Sequence, residues 1–329
     1  MPLDGVDSPA QALAELNRLR QLKRANALPV LHRTPKFQDY VKEYLAYFEK
    51  AKDAKRPKTI KTERVHLDLW VKHVGEIRLH KITRAMIHAF IAQQQEAGWC
   101  GRTVNLSVTV LRNVLNRAID DNYLKTLPTE NLRPLKWTPK KRELVTLEQI
   151  NKICDCGFEV SKNAQQLADY LRLMAFCGSR KTETLRLKWA DVDLDRQQLT
   201  IGADGQTKNR EMRVVDFNDK LAALLKDMHS RRAPDSQWLF PSPQRGNHDL
   251  PAKSFVESMR LAKKKADIKC FGFHDCRHFF ISFCVMSGID FMTIARWVGH
   301  KDGGLLIGKV YGHLSNEHAK RQAQRLTFT

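Results

Sequence analysis

No stretch of this 329-residue chain stays apolar for the ~18 residues a membrane span requires, so a membrane protein is not expected. The opening residues, MPLDGVDSPA, lack a basic segment followed by an apolar one, and no secretory signal is expected. Cysteine is scarce and unpatterned: seven residues, at positions 100, 154, 156, 177, 270, 276 and 284. No C-x-x-C occurs, and Cys154 and Cys156 stand too close for the usual zinc pair. Reduced thiols in a cytoplasmic protein are the expectation. There is no clear carboxylate cluster to hold a catalytic metal, and no internal repeat or low-complexity tract.

Acidic side chains are also in deficit. Lys and Arg total 56 against 36 Asp and Glu, a net charge of +20. Solubility alone asks for roughly 2–8 charges. The excess is spread along the chain: residues 1–140 hold 25 basic and 14 acidic side chains, the remainder 31 and 22. Two basic halves are what a polyanion requires of a protein that meets it with both, since phosphate neutralisation and counterion release drive binding.

The length suggests about two domains at roughly 150 residues each. Residues 8–28 read as a short amphipathic helix with Leu13, Leu16 and Leu19 in a row, within an N-terminal extension of 1–35. Residues 36–130 read as a helical domain. Phe37, Tyr40, Val41, Tyr44, Leu45 and Phe48 recur at helical spacing. Ile60–Val74 repeats the pattern, Thr83 caps a third helix ending near Gly98, and Thr103–Asp120 buries Val104, Leu111, Leu115 and Ile119. A basic loop, KDAKRPKTIK, offers Lys52, Lys55, Arg56, Lys58 and Lys61 to phosphate. A linker at 131–145 holds Pro134 and Pro139. The second domain, 146–329, opens on a capping box, Thr146-x-x-Gln149. Strands are expected at Gln198–Ile201 and Arg213–Phe217, and helices at about 163–177, 219–230, 254–266, 276–287 and 290–298. The fold class is therefore mainly α with a small antiparallel sheet.

The last third of the chain concentrates reactive types: His274, Arg277 and His278, then Gly299–His300, then Tyr311. Arg180 and Lys208 precede them. A phenol loses its proton only near pH ~10 and attacks poorly unless cationic donors surround its target. His274 and His278 have the spacing of a helical metal pair, but no third ligand with the usual signature accompanies them. His278 is read as structural, and His313 and His318 as bystanders.

These residues fall in an order that resembles the tyrosine recombinase (phage integrase) family. FCGSRKTETLRLKWADVD, 176–193, is similar to the family's first box, with Arg180, Glu183 and Leu187–Asp193 in place. HDCRHFFISFCVMSGIDFMTIARWVGH, 274–300, is similar to its H-x-x-R…G-H box, with Cys276 where an aliphatic residue is more usual. QTKNREMRVVDF resembles its hairpin lysine segment, with Lys208 in the lysine's place. The resemblance covers roughly 36–320. It implies a helical core-binding domain and a mixed domain that grip opposite faces of duplex DNA, with Tyr311 as nucleophile forming a 3′-phosphotyrosyl bond. Arg180 and Arg277 would grip the phosphate, Lys208 would act as general acid, His274 and His300 would position phosphate or move protons, and Glu183 would orient Arg180. No metal or other cofactor is implied. Implied partners are specific recombination sites in double-stranded DNA, further protomers completing a tetramer, and accessory directionality factors, all at the nucleoid. An integrase of a phage or genomic island fits best. A chromosome-resolving recombinase, a type IB topoisomerase and a non-catalytic DNA-binding regulator stand as alternatives. Tyr311 follows His300 by eleven positions where about nine is usual, which implies a longer, flexible loop at KDGGLLIGK, and a delivery of Tyr311 by its own or a neighbouring subunit.

Overall fold

The computed structural model describes residues 8–24, 34–51, 54–138, 144–205, 211–232, 236–242 and 250–311. The chain divides into two compact units, residues 1–140 and 141–329. As expected, helices dominate and the sheet is small.

The first unit begins with α1 (Pro9–Arg24), whose Leu13 and Leu16 are exposed. α2 (Phe37–Lys50) buries Phe37, Tyr40, Val41, Tyr44 and Leu45, the face its spacing foretells. α3 (Pro57–Val74) places proline at its start, where a missing N–H breaks no helical bond. Thr83 caps α4 (Arg84–Glu96) by accepting from the Met86 N–H at 3.3 Å. α5 (Gly101–Asp120) buries Val104, Leu111 and Leu115, while Ala118 takes the covered position expected of Ile119. Trp70 anchors this core: its ring stacks on Phe90 at 3.7 Å and its indole N–H donates to the Ser107 carbonyl at 2.9 Å.

Two expectations change here. The first part of the supposed linker belongs to the helical unit, because Leu132 and Leu135 pack on its core. The Asn105 amide clamps Leu135 by donating to its carbonyl at 2.9 Å and accepting its N–H at 2.8 Å. The basic loop is also shorter than expected, since Lys58 and Lys61 ride on the first turns of α3.

The second unit opens on the capping box: Thr146 accepts from the Gln149 N–H at 3.3 Å, and the Gln149 side chain accepts from the Thr146 N–H at 3.0 Å. α6 (Leu147–Val160) then packs on α7 (Ala164–Cys177), which is buried through Leu167, Tyr170, Leu171, Leu173 and Met174. α7 stops at Gly178, φ +66°, where a Cβ would come within 2.4 Å of the Phe280 ring. A short α8 (Lys181–Thr184) follows, then β1 (Val192–Asp193), β2 (Gln198–Ile201) and β3 (Arg213–Asp216). Among the described residues these strands form one antiparallel sheet in that order, with Leu199 opposite Val215. α9 (Asp219–Ser230), α10 (Val256–Ala266), α11 (Phe273–Met286), α12 (Phe291–Val298) and α13 (Leu305–Tyr311) complete the unit.

α11 starts three residues before the expected 276. Asp275 Oδ2 accepts the Gly272 N–H at 2.8 Å, which closes the first turn early. His274, Arg277 and His278 therefore share successive turns of one helix. The segment KDGGLLIGK is a tight turn and a helix rather than a flexible loop. Asp302 accepts from the Gly304 and Leu306 N–H groups at 3.2 and 3.0 Å, and so starts α13. Gly304, φ +97°, lets the chain pass the Phe291 carbonyl, which a Cβ would approach to 2.7 Å.

Candidate active site

Two helix ends converge in the second unit. Carbonyls at a helix C-terminus lack helical partners and carry the negative end of the helix dipole. Two arginines use them. Arg277, 2% exposed, donates from Nη1 to the Gly178 carbonyl at 2.6 Å and from Nη2 to the Val298 carbonyl at 2.7 Å. Arg180, just ahead of α8, donates from Nη2 to the Gly299 carbonyl at 3.0 Å. The ends of α7 and α12 thus orient both guanidiniums.

Glu183 ties the cluster together. It receives Arg180 Nη1 at 2.7 Å, the Arg180 backbone N–H at 3.0 Å, and Arg213 Nη2 at 2.6 Å. Burial pushes its carboxyl up, but Arg213 and then Arg180 outweigh that and hold it at about 2. Arg213 is a site residue the sequence reading missed. It is buried on β3, and its Nε donates to the Trp297 carbonyl at 2.7 Å. Along β3 the burial alternates, and Arg213 shares the inward face with Val215.

The result is a crowded, desolvated cationic centre. Burial first, then the charges of Arg180 and Arg213, bring Arg277 down to about 9, so it remains a cation at neutral pH. Burial and Arg277 bring His300 down to about 4, so its imidazole is neutral there. His300 Nδ1 is buried with no hydrogen-bond partner in the structure. It lines a cleft of about 210 Å³ together with Arg180, Arg213, Met212, Arg296, Lys301 and Glu211, the last two paired at 2.5 Å. Three arginines and Lys301 against one lining carboxylate, Glu211, beside an unsatisfied imidazole, suit a phosphate.

Tyr311 ends α13, is 6% exposed, and packs in the same apolar cluster as Ile307 and Val298 of its own chain. Its hydroxyl hydrogen-bonds His278 Nδ1, and the two rings lie 5.8 Å apart. The residue read as structural therefore touches the expected nucleophile. His274 is exposed one turn earlier, its ring 4.7 Å from that of His278 and nearly perpendicular to it. Arg180, Glu183, Arg277, His300 and Tyr311 are thus placed within one unit.

Two expected residues, Lys208 and Lys52, lie outside the described residues. In the basic segment Arg56, Lys58 and Lys61 are exposed. Lys55 differs: its ammonium turns inward to Glu63 at 2.7 Å and lies 4.1 Å from the Phe48 ring centroid. Burial of Glu63 demands that partner, so Lys55 is held within the unit and not presented to a phosphate.

The sequence model of the phage integrase family matches residues 143–318. The chain belongs to the phage integrase family. It is a tyrosine-type site-specific recombinase. This recombinase is 26% identical over 284 residues to the ICEBs1 integrase of Bacillus subtilis, across 78% of this chain and 74% of that one. It is 23% identical over 289 residues to the tyrosine recombinase XerA of Thermococcus kodakarensis, across 87% and 95%. Among solved structures it is similar to a lambda integrase tetramer bound to a Holliday junction, with TM-score 0.68 and 15% identity over 92% of this chain and 87% of that one. Among the described residues no helix is long and apolar enough to cross a membrane.

Proposed function

We propose that this recombinase cuts and rejoins DNA through a 3′-phosphotyrosyl bond made by Tyr311, in the integration or excision of a phage or genomic island. The observation that carries the reading is the gathering of Arg180, Arg277, His300 and Tyr311 in one unit, with Arg180 and His300 lining a small cleft and Arg277 and Tyr311 buried behind it. A guanidinium has five N–H donors, so two carbonyl bonds set the plane of Arg277 and leave donors for non-bridging oxygens. Those donors stabilise the charge that builds on phosphorus in the transition state. His300, being neutral, acts by hydrogen bonding rather than by charge. Lys208 is assigned the protonation of the departing 5′ oxygen, and exposed His274 a contact to the DNA phosphate. Arg56, Lys58 and Lys61 are assigned backbone contacts.

The mobile-element role rests on the similarity to the ICEBs1 integrase. The similarity to XerA, over 87% of this chain, favours chromosome resolution as the second reading. Recombination of two duplexes needs four active sites, so a tetramer on DNA is proposed, with directionality factors acting on it. The test is covalent capture on a nicked suicide duplex. The parent forms a denaturation-resistant adduct, and Tyr311→Phe, which removes only a hydroxyl, binds duplex but forms none. An adduct in that variant would overturn the assignment.

A further inference from the structure

We propose that His278 is a further catalytic residue of this site: its Nδ1 takes the phenolic proton of Tyr311 as the oxygen attacks phosphorus. The proposal rests on Tyr311 being the nucleophile, as set out above. Its observation is the hydrogen bond between the Tyr311 hydroxyl and His278 Nδ1, which joins the end of α13 to the second turn of α11.

A phenol with a proton affinity near pH ~10 is only about a thousandth ionised at neutral pH. A base within hydrogen-bond reach removes that handicap. The other groups are less suited to do so: His274 is exposed one turn earlier, its ring against that of His278 at 4.7 Å, and is assigned above to the DNA phosphate. Arg180, Arg213 and Arg277 are cations, and a cation donates hydrogen bonds but accepts no proton. His300 is held near 4 by its burial and those cations, so it is a weak base. Glu183 spends its oxygens on Arg180 and Arg213. His278 instead meets the phenol directly. In the tautomer that carries its proton on Nε2, Nδ1 accepts the phenolic hydrogen. His278 also follows Arg277 immediately in sequence, so the guanidinium that meets the phosphate and the imidazole that meets the phenol are spaced by one helical residue. Phosphate and nucleophile are thereby set by the same rigid turn.

The step balances. A bond forms between the Tyr311 oxygen and phosphorus, and the bond from phosphorus to the 5′ oxygen breaks. The phenolic proton ends on His278 Nδ1, and the 5′ oxygen takes its proton from a separate donor, assigned above to Lys208. Rejoining reverses each transfer, with His278 returning the proton to the departing phenolate.

The experiment is single-turnover adduct formation on the nicked duplex by the full chain, for the parent, His278→Ala and His278→Asn. Both variants are expected to bind duplex as the parent does and to cleave about 10²–10⁴-fold more slowly, the usual contribution of a positioned base. Asn keeps a hydrogen-bonding amide beside Tyr311 but takes no proton. Added imidazole is expected to restore part of the rate to His278→Ala and none to Tyr311→Phe. A substrate with sulfur in place of the bridging 5′ oxygen separates the two proton transfers, because a thiolate leaves without a proton. His278→Ala is expected to remain slow on it. Recovery of the parental rate with sulfur would place His278 on the leaving-group side and overturn the proposal. So would cleavage by either variant within about threefold of the parent on the oxygen substrate, far short of a base's contribution. If the parent forms no adduct at all, the underlying assignment of Tyr311 fails first, and that result is distinct from both.

Discussion

Glu183→Gln removes one charge and almost no volume from the centre of the arginine cluster. The structure sets the size of the effect. The carboxylate side chain is 3% exposed and is shared by Arg180 and Arg213. Its value falls from an ordinary 4.5 to about 2, which at neutral pH corresponds to roughly 3 kcal/mol of folding stability. Breaking a buried ion pair by losing one partner independently suggests about 3–5 kcal/mol, since uncompensated charge stays behind. The two routes agree, so the variant should lose about 3 kcal/mol. The sign of the pH dependence follows from the depressed value. The stabilisation is complete above the unfolded carboxyl's range near 4.5 and disappears as pH falls toward about 2. The assay is urea unfolding of the full chain read by hydrogen exchange on peptides from α7 and α12, which assigns the loss to the second unit. The gap between parent and variant should be widest at neutral pH and close between pH 4.5 and 2. A neutral-pH gap under about 1 kcal/mol, or one that persists unchanged into acid, would refute the view that Glu183 neutralises this cluster.

Further outcomes follow from the same site. Arg180→Ala should slow covalent capture by about 10²–10³, the cost of a lost transition-state donor, with duplex binding retained. Capture within a few-fold of the parent would remove Arg180 from the reaction. Cleavage in excess EDTA should match that in Mg²⁺, because the proposed mechanism has guanidiniums supply the positive charge at the phosphate. A strict requirement for a divalent ion in the chemical step would contradict that mechanism. Duplex affinity should fall steeply with salt, given 56 basic against 36 acidic side chains, and a flat dependence would argue against extensive phosphate contact.

Much of the fold was legible because its signals are local. The Phe37, Tyr40, Val41, Tyr44 spacing is a helix face whatever lies beyond it, and Thr83 and Thr146 mark helix starts by their own side chains. The losses came where tertiary context decides. α13 hid behind two glycines, although Asp302 carried the start signal for it. β1 is two residues long, too short for any periodicity. Arg213 reads from sequence as one more basic residue on a strand edge, and its role appears only when Glu183 and the end of α12 meet it. His278, weighed with His274 as a metal pair, reads from sequence as structural. Its relation to Tyr311 depends on a contact across 33 residues of sequence, which the enlarged segment before Tyr311 obscured. Arg180, Glu183, Arg277, His300 and Tyr311 could be grouped from sequence because their order resembles the family's boxes, and the structure brings them into one unit.

The assembly proposed for this recombinase makes a separable prediction. Beyond Tyr311 the chain continues for eighteen residues, which lie outside the described ones, and their sequence places Ala319, Ala323 and Leu326 at helical spacing. A small apolar stripe of this kind needs an apolar acceptor. The second unit has one: a groove of about 670 Å³ lined by Leu144, Phe176, Phe217, Phe279, Phe283 and Met286. Phe283 is 58% exposed and Met286 42%, unusual for side chains of that size on one helix face. If the tail of one protomer fills the groove of the next, each copy gives and receives one contact, and a closed ring follows. Deleting residues from Asn316 onward should leave a protein that binds one site and forms the Tyr311 adduct, but loses cooperative binding to paired sites and strand exchange. Phe283→Asp should give the same defect from the acceptor side while leaving the tail intact. Mixing the two variants discriminates further, since each supplies the half the other lacks and a mixed pair can form the contact in one direction. The measurements are a gel shift on two-site DNA and quantitation of recombinant product. Parental recombination by the truncated chain would show that assembly needs no contact from the tail, and that the ring is held by other surfaces.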